Sequence, residues 1–468
     1  MGARQQRAAL GNRRRLWLAA ALAAGLFAGL ALWATHWLLN RGARTPSEVM
    51  VYVERRLEGH TRLEILAAPA LNLLKYTLGS EAETARLHPI DLPRMGPNRA
   101  ATDVGAQPSA DAPHVIRVGP GRAIRRIADA ARLAPEGGVV EIDPGDYVAD
   151  TVAWQRSSLT IRGLGDRVRI IAAGSNAEEK GIWVIRGGSF TIENIEFVGA
   201  RVPDGNGAGI RLEAGQLLVR NCVFLNNETG ILTANDERIS LVVVDSEFGY
   251  TARSHGFTHA LYAGAIASLR VTGSYFHHGD NGHLLKSRAR FNRIEYNRFT
   301  DESGGQASYE VDLPNGGRAQ LVGNIIQQGP GSGNSVILSY GEEGLRWPEN
   351  TLEVVNNTFV NDMRYGGTFI RVAPGKSRTL VRNTVFVGPG QSADGFELGE
   401  GSNWRGEWKD LVQPARQDYR LNEDAMRGLA QKPLSPAPER LLLRAQYKHP
   451  RKVQPLAGPV RWPGALQE

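Results

Sequence analysis

The chain holds a single cysteine, Cys222, in 468 residues. That excludes an internal disulfide and any cysteine-based zinc site. In a β-rich setting a lone cysteine is expected to fill a buried core position rather than to act as a thiol. There is no Walker lysine loop, no HExxH and no G-x-S-x-G elbow, so the usual signatures of nucleotide, zinc-protease and serine-hydrolase chemistry are missing. The first 44 residues contain no Asp, Glu or Lys, only seven arginines. The formal charge of +7 resides entirely there, because the remaining 48 basic residues balance 48 acidic ones. A nucleic-acid partner is therefore not expected from global charge. With 42% apolar and 22% charged residues the chain can bury a large core, which excludes wholesale disorder.

A 24-residue uncharged run, Leu16–Leu39, is longer than the ~30 Å hydrocarbon thickness requires at 1.5 Å per residue. Trp17, Trp33 and Trp37 lie near its ends, as interfacial aromatics do. Five arginines precede it and two follow, which predicts a cytoplasmic N-terminus (1–15), a single-pass transmembrane helix (16–39) contacting the lipid bilayer, and an extracytoplasmic body. The run is too long and ends too bulkily for a cleaved signal peptide. The expected setting is a bacterial inner membrane with the C-terminal domain in the periplasm. Thr45-Pro46-Ser47-Glu48 reads as a helix start, and apolar spacing through Leu78 predicts a short helical juxtamembrane segment, 45–87, that can meet an envelope protein partner. Residues 88–114 read as a linker.

From about residue 115 the sequence becomes a series of short β-rich runs, and one cassette recurs. IENIEF, VRNCVF, VVDSEF, VTGSYF, IEYNRF, LVGNII, VVNNTF and VRNTVF end at residues 197, 224, 248, 276, 299, 326, 359 and 386. Three positions before each end stands Asn, Asp or Gly, with Tyr296 the exception, and the terminal residue is Phe or Ile. A turn-forming residue followed by a ring that can stack coil upon coil is the pattern of a parallel solenoid. Propeller blades are longer, and a sandwich gives no reason for eight recurrences. The segment Gly119–Tyr147, GPGRAIRRIADAARLAPEGGVVEIDPGDY, resembles the N-terminal cap of right-handed parallel β-helix proteins, the pectate-lyase-like superfamily. The resemblance implies an all-β fold: a right-handed parallel β-helix over 115–395, with an N-terminal capping helix containing Ile124, Ile127 and Ala131. Residues 396–468 read as a C-terminal tail packed on the solenoid.

In such a solenoid equivalent residues of successive coils lie about 4.8 Å apart, so a site can be sought by aligning coils. With Leu232, Leu261, Leu285, Val311, Leu338 and Ile370 taken as an inward column, the next outward column reads Thr233, Tyr262, Lys286, Asp312, Ser339 and Arg371. Two residues before the inward column stand Gly230, His259, His283, Tyr309, Val336 and Thr368. Three consecutive coils thus concentrate His259, Tyr262, His283, Lys286, Arg288, Tyr309, Glu310 and Asp312. Between Arg270 and Arg298 there are six Lys or Arg against Asp280 and Glu295, a candidate basic patch. His277-His278-Gly279-Asp280 is expected on a following turn that can rim the same cleft.

Members of the family that the chain resembles commonly act on acidic polysaccharides, and the residue types suit that chemistry. Removing the C5 proton of a uronate needs a cation beside the developing enolate, a base, and an acid for the leaving oxygen. Lys286 or Tyr262 can take the proton, and His259 or Tyr309 can donate one. Arg288, assisted by His283, can bind the carboxylate, with Arg290, Asp312, Glu310 and Arg371 as further substrate contacts. Lys286-x-Arg288 resembles the basic pair of alginate-lyase-like and chondroitinase-B-like β-helix lyases. The expectation is a membrane-anchored polysaccharide lyase cleaving a uronate polymer by β-elimination. Alternatives are a non-catalytic glycan-binding or scaffold β-helix of an envelope system, a glycoside hydrolase using Glu310 and Asp312, or a C5-epimerase, although the Asp-Pro-His-Asp motif of periplasmic mannuronan epimerases is absent. No cofactor is required; Ca²⁺ at Glu310 and Asp312 is the one metal the residues suggest.

Overall fold

The computed structural model describes residues 114–252, 258–302, 304–399, 402–430 and 432–467. The transmembrane helix expected at 16–39, the juxtamembrane helices and nearly all of the 88–114 linker lie outside the described residues.

Each coil of the body lays down one strand in each of three sheets and then steps to the next coil. Sheet A has 11 strands from Val115–Val118 to Arg378–Arg382. Sheet B has 11 from Gly145–Val148 to Trp404–Gly406, and sheet C has 10 from Val152–Trp154 to Gln391–Asp394. All three are parallel, with each strand paired to its counterpart one coil away. Trp404–Gly406, read from sequence as tail, pairs with Val385–Val387 and extends sheet B.

The recurring cassette builds the corner between sheets A and B. Asn194, Asn221, Asp245, Gly273, Tyr296, Gly323, Asn356 and Asn383 all take the left-handed conformation, with φ of 49–65°. Asn, Asp and Gly tolerate that region; tyrosine does so at a cost. Tyr296 is held by packing against Val322 and Leu443, and its hydroxyl accepts the Arg444 backbone N–H at 3.3 Å. Beside this column the residues Cys222, Ser246, Ser274, Asn297, Asn324 and Asn357 form an internal hydrogen-bond ladder: Asn324 Nδ2 donates to Asn357 Oδ1 at 2.8 Å and to the Ile294 carbonyl at 2.8 Å, while its own Oδ1 accepts the Asn297 backbone N–H at 3.0 Å. Cys222 is fully buried, and burial pushes its thiol up to about 11.

Inside the coils the terminal phenylalanines stack. Phe197, Phe224, Phe248, Phe276 and Phe299 lie with successive ring centroids 4.6–5.1 Å apart, the rise of one coil. The helix Ile127–Leu133 buries Ile127 and Ala130 in the same core and packs on the first strands of sheets A and C. Its first two amides donate to the Asp150 carboxylate at 2.6 and 3.0 Å. Segments 411–429 and 441–466, including the antiparallel pair Ala445–Lys448 and Lys452–Pro455, lie over sheet B and its corner with sheet A. Sheet C carries no such cover among the described residues, so its outer face presents the site.

Candidate functional site

Sheet C pairs Tyr262 with Lys286, Lys286 with Asp312, Asp312 with Ser339, Ser339 with Arg371, and Arg371 with Asp394. From Tyr262 onward the outward ladder is the one expected from the coil alignment. One coil earlier it slips by a residue: Ile231, not Leu232, pairs with Leu261, and Leu232 rather than Thr233 takes the outward place beside Tyr262. Adjacent apolar residues there gave the hydrophobic pattern no preference, and a one-residue slip exchanges faces. Thr229 likewise replaces Gly230 beside His259.

On this face the side chains converge. Lys286 Nζ lies 3.0 Å from Glu343 and 3.5 Å from Asp312. Arg288 donates from Nε to the Tyr262 hydroxyl at 2.9 Å, from Nη1 to Asn315 Oδ1 at 2.9 Å, and is also paired with Glu343. Both cations lie within 6 Å of the Tyr262 ring centre, at 5.9 and 5.8 Å. Asp312 is buried beneath them, accepting from Ser339 Oγ at 2.8 Å with His283 Nε2 at 3.4 Å. Burial pushes its carboxyl up to about 6, against the opposing pull of Lys286 and Ser339.

The histidines lie behind the site. His259 is buried, its Nδ1 accepts the His283 backbone N–H at 3.0 Å, and burial together with Lys286 and Arg288 pushes it down to about 3. His283 packs against it at 4.6 Å and is held well below the ordinary imidazole range by burial, then by His259 and Lys286. Burial thus works against an imidazolium at both positions, and so against His283 as a cation for the carboxylate and His259 as a proton donor. Tyr309 is half-buried with its ring edge against His283 at 4.9 Å, and burial raises its hydroxyl above the usual phenol range despite a hydrogen bond with Asn334.

Three expected contacts fall elsewhere. Glu310 is fully buried, with Gln328 Nε2 at 3.5 Å as its neighbour, and burial beside Asp301 pushes it well above the carboxylate range. A carboxylate pair of Glu310 and Asp312 open to a sugar or to Ca²⁺ is therefore not formed, and the hydrolase reading loses its second acid. Arg290 sits 5.2 Å over the Phe291 ring where sheet A begins, away from the ladder. Arg371 is on the ladder but three rungs from Lys286, paired with Asp394 at 2.9 Å.

The basic patch between Arg270 and Arg298 divides among three faces. Arg270 and Arg293 meet Glu295 on sheet A, Arg298 meets Gln417 under the tail on sheet B, and only Lys286 and Arg288 serve sheet C. His277 is also on sheet B, 3.4 Å from Glu247, which Arg451 of the tail reaches at 2.6 Å; His278 stacks on Tyr250. That pair therefore does not rim the sheet C site. Sequence reasoning missed Glu343, on the turn Gly341–Gly344 two coils beyond Lys286, as well as Asn315 and the role of Ser339. The signal was an acidic pair bracketed by glycines directly after a sheet C strand.

The fold is similar to the crystal structure of pectate lyase Pel9A, at 14% identity and a TM-score of 0.47, covering 75% of this chain and 96% of that one. It is also similar to that of an alginate lyase from a Paenibacillus species, at 13% identity and a TM-score of 0.38, covering 63% and 97%. Residues 208–386, which carry the whole cluster from His259 to Arg371, match the family model described as right handed beta helix region.

Proposed function

We propose that the protein acts on an acidic, uronate-containing polysaccharide by β-elimination at the outer face of sheet C. The observation that carries this reading is the convergence of Lys286, Arg288 and the Tyr262 hydroxyl on one partly exposed patch, with Asp312 buried behind it. Arg288 and Lys286 bind the uronate carboxylate and spread the charge of the enolate that develops when C5 loses its proton. Arg288 Nε donates to the Tyr262 oxygen at 2.9 Å, which holds that oxygen in place as the base, acting as the phenolate, for the C5 proton. Lys286 Nζ donates to Glu343 and lies beside Asp312, so it serves as a positive charge rather than as the base. The Tyr262 phenolate takes the C5 proton, the electron pair of the C5–H bond becomes the C4=C5 double bond, the C4–O bond breaks, and the same proton passes from Tyr262 to the departing oxygen, which restores the phenolate. Tyr309 is the second hydroxyl available for that delivery.

The full-length chain, in detergent, is incubated with polygalacturonate, alginate and glycosaminoglycans while the absorbance of the unsaturated uronate product is followed. Product from one polymer, lost in Tyr262→Phe and Arg288→Ala, supports the reading. Reducing ends without unsaturation point to hydrolysis.

A non-catalytic glycan-binding role is the second reading, favoured by the closed ion pairing of both cations with Glu343. Retained polymer binding without any product distinguishes it.

We further propose that this body lies outside the cytoplasm on a single-pass anchor, residues 16–39, with 45–87 available to an envelope partner; the uncharged run Leu16–Leu39 and the arginines flanking it support that reading. Protease added to spheroplasts digests the body if this orientation holds and spares it if the topology is reversed.

A further inference from the structure

Lys286 and Arg288 are rooted in the solenoid by contacts that do not involve Glu343. Lys286 has Asp312 at 3.5 Å, and Arg288 has Tyr262 and Asn315, each at 2.9 Å. Their side chains are 12% and 21% exposed, whereas that of Glu343 is 43% exposed. The carboxylate thus approaches from the solvent side and caps two cations that keep other partners when it leaves. Hydrogen bonds from Arg288 and Lys286, against the opposing effect of burial, hold its carboxyl below the ordinary range.

The backbone that carries Glu343 is fixed. The turn is tied to the preceding coil by Glu343 N–H to the Pro314 carbonyl at 2.9 Å and Arg346 N–H to the Asn315 carbonyl at 3.0 Å. Gly341 and Gly344 bracket it with φ of +84° and +93°. Only side-chain rotation is needed to clear the site. Such rotation in an exposed residue takes picoseconds to nanoseconds.

We propose that Lys286 and Arg288 form a carboxylate-binding subsite, and that Glu343 is its internal occupant, displaced by a uronate carboxylate of the incoming polymer. The uronate identity rests on the function proposed above; the competition between Glu343 and a soluble carboxylate does not. Glu343 then sets selectivity: a neutral sugar cannot replace the charge it withdraws, whereas a uronate restores both ion pairs. An occupant that fills the subsite most of the time lowers apparent affinity by the fraction left open, so its removal is expected to tighten carboxylate binding about three- to tenfold.

Calorimetric titration of the full-length chain with sodium D-glucuronate, and with D-glucose as the uncharged control, tests this. Glu343→Gln keeps the shape of the side chain and removes its charge; Glu343→Ala removes both. The expected result is at least threefold tighter glucuronate binding in both variants, no change for glucose, and loss of the gain when Arg288→Gln is added. Equal glucuronate binding in wild type and Glu343→Gln, or a matching gain for glucose, overturns the proposal. A glucuronate gain without any product from the polymer panel leaves the subsite standing and removes the lyase reading; product without a glucuronate gain does the reverse.

Discussion

Lys286 Nζ lies 3.0 Å from Glu343 Oε1, although 57 residues separate them in sequence. The contact exists because the sheet C register stacks Lys286, Asp312 and Ser339 on successive coils, and the turn after the Ser339 strand folds back over the ladder. A buried carboxylate below the ammonium and an exposed one above it divide the labour: Asp312 positions and Glu343 occupies.

Asp312 acts through Lys286 and is best separated from a purely structural residue by pH. Its carboxyl is pushed up to about 6 by burial. Activity on a uronate polymer is therefore expected to fall as the pH drops through about 6, when the carboxylate that anchors Lys286 is neutralised. Asp312→Asn should lower kcat/KM tenfold or more and abolish that acid limb, because an amide holds Ser339 but carries no charge. An unchanged acid limb in the variant assigns it to another group.

Asp301 links the fold to pH in the opposite direction from the buried histidines. Burial pushes it up to about 7 despite amide donors from Gly279 at 3.0 Å and Ala307 at 2.8 Å. A raised carboxyl contributes stability that is fully present below its ordinary value near 4 and is lost as the pH rises towards 7, by up to ~4 kcal/mol. His259 and His283, both depressed, lose stability as the pH falls below about 6.5. Relative to wild type, Asp301→Asn should gain stability as the pH rises from 4 to 7, read as urea-denaturation midpoints. Midpoints that run parallel to wild type contradict the assignment.

The corner ladder is a load on single residues. Asn324→Ala strips the Asn297 amide and the Ile294 carbonyl of their bonds, two buried groups at ~1–3 kcal/mol each. A loss of about 2–5 kcal/mol is expected by chemical denaturation. Half-buried Asn315→Ala should cost under about 1 kcal/mol, and equal losses would refute the ladder's role.

Much of this was legible in the sequence, for physical reasons. A left-handed corner residue and a stacking ring are local demands, so Asn221, Asp245, Asn356 and the phenylalanine column announced themselves by recurrence. The sheet C ladder followed where a large or charged residue comes directly after the apolar run, as Tyr262, Lys286 and Asp312 do, because such a residue cannot turn into the core. It failed at Ile231-Leu232, where two apolar neighbours compete for the same inward place. Glu310 was read as surface because its spacing from Asp312 matches a strand face; it precedes the strand Val311–Leu313 and turns into the corner towards Gln328. Glu343 escaped because a turn residue has no column, and only folding brings it over Lys286. The burial of His259 and His283, which works against their charged forms, is not reported by spacing.

The central claim is that the Tyr262, Lys286 and Arg288 face of sheet C eliminates across the C4–C5 bond of a uronate polymer. The direct measurement is the unsaturated-uronate absorbance produced by the full-length protein from the polymer panel, with Tyr262→Phe run in parallel. The account predicts product from at least one polymer and a drop of about 10²–10⁴-fold in Tyr262→Phe, with an unchanged thermal transition. Unsaturated product formed equally well by Tyr262→Phe, or none from any uronate polymer, would contradict it.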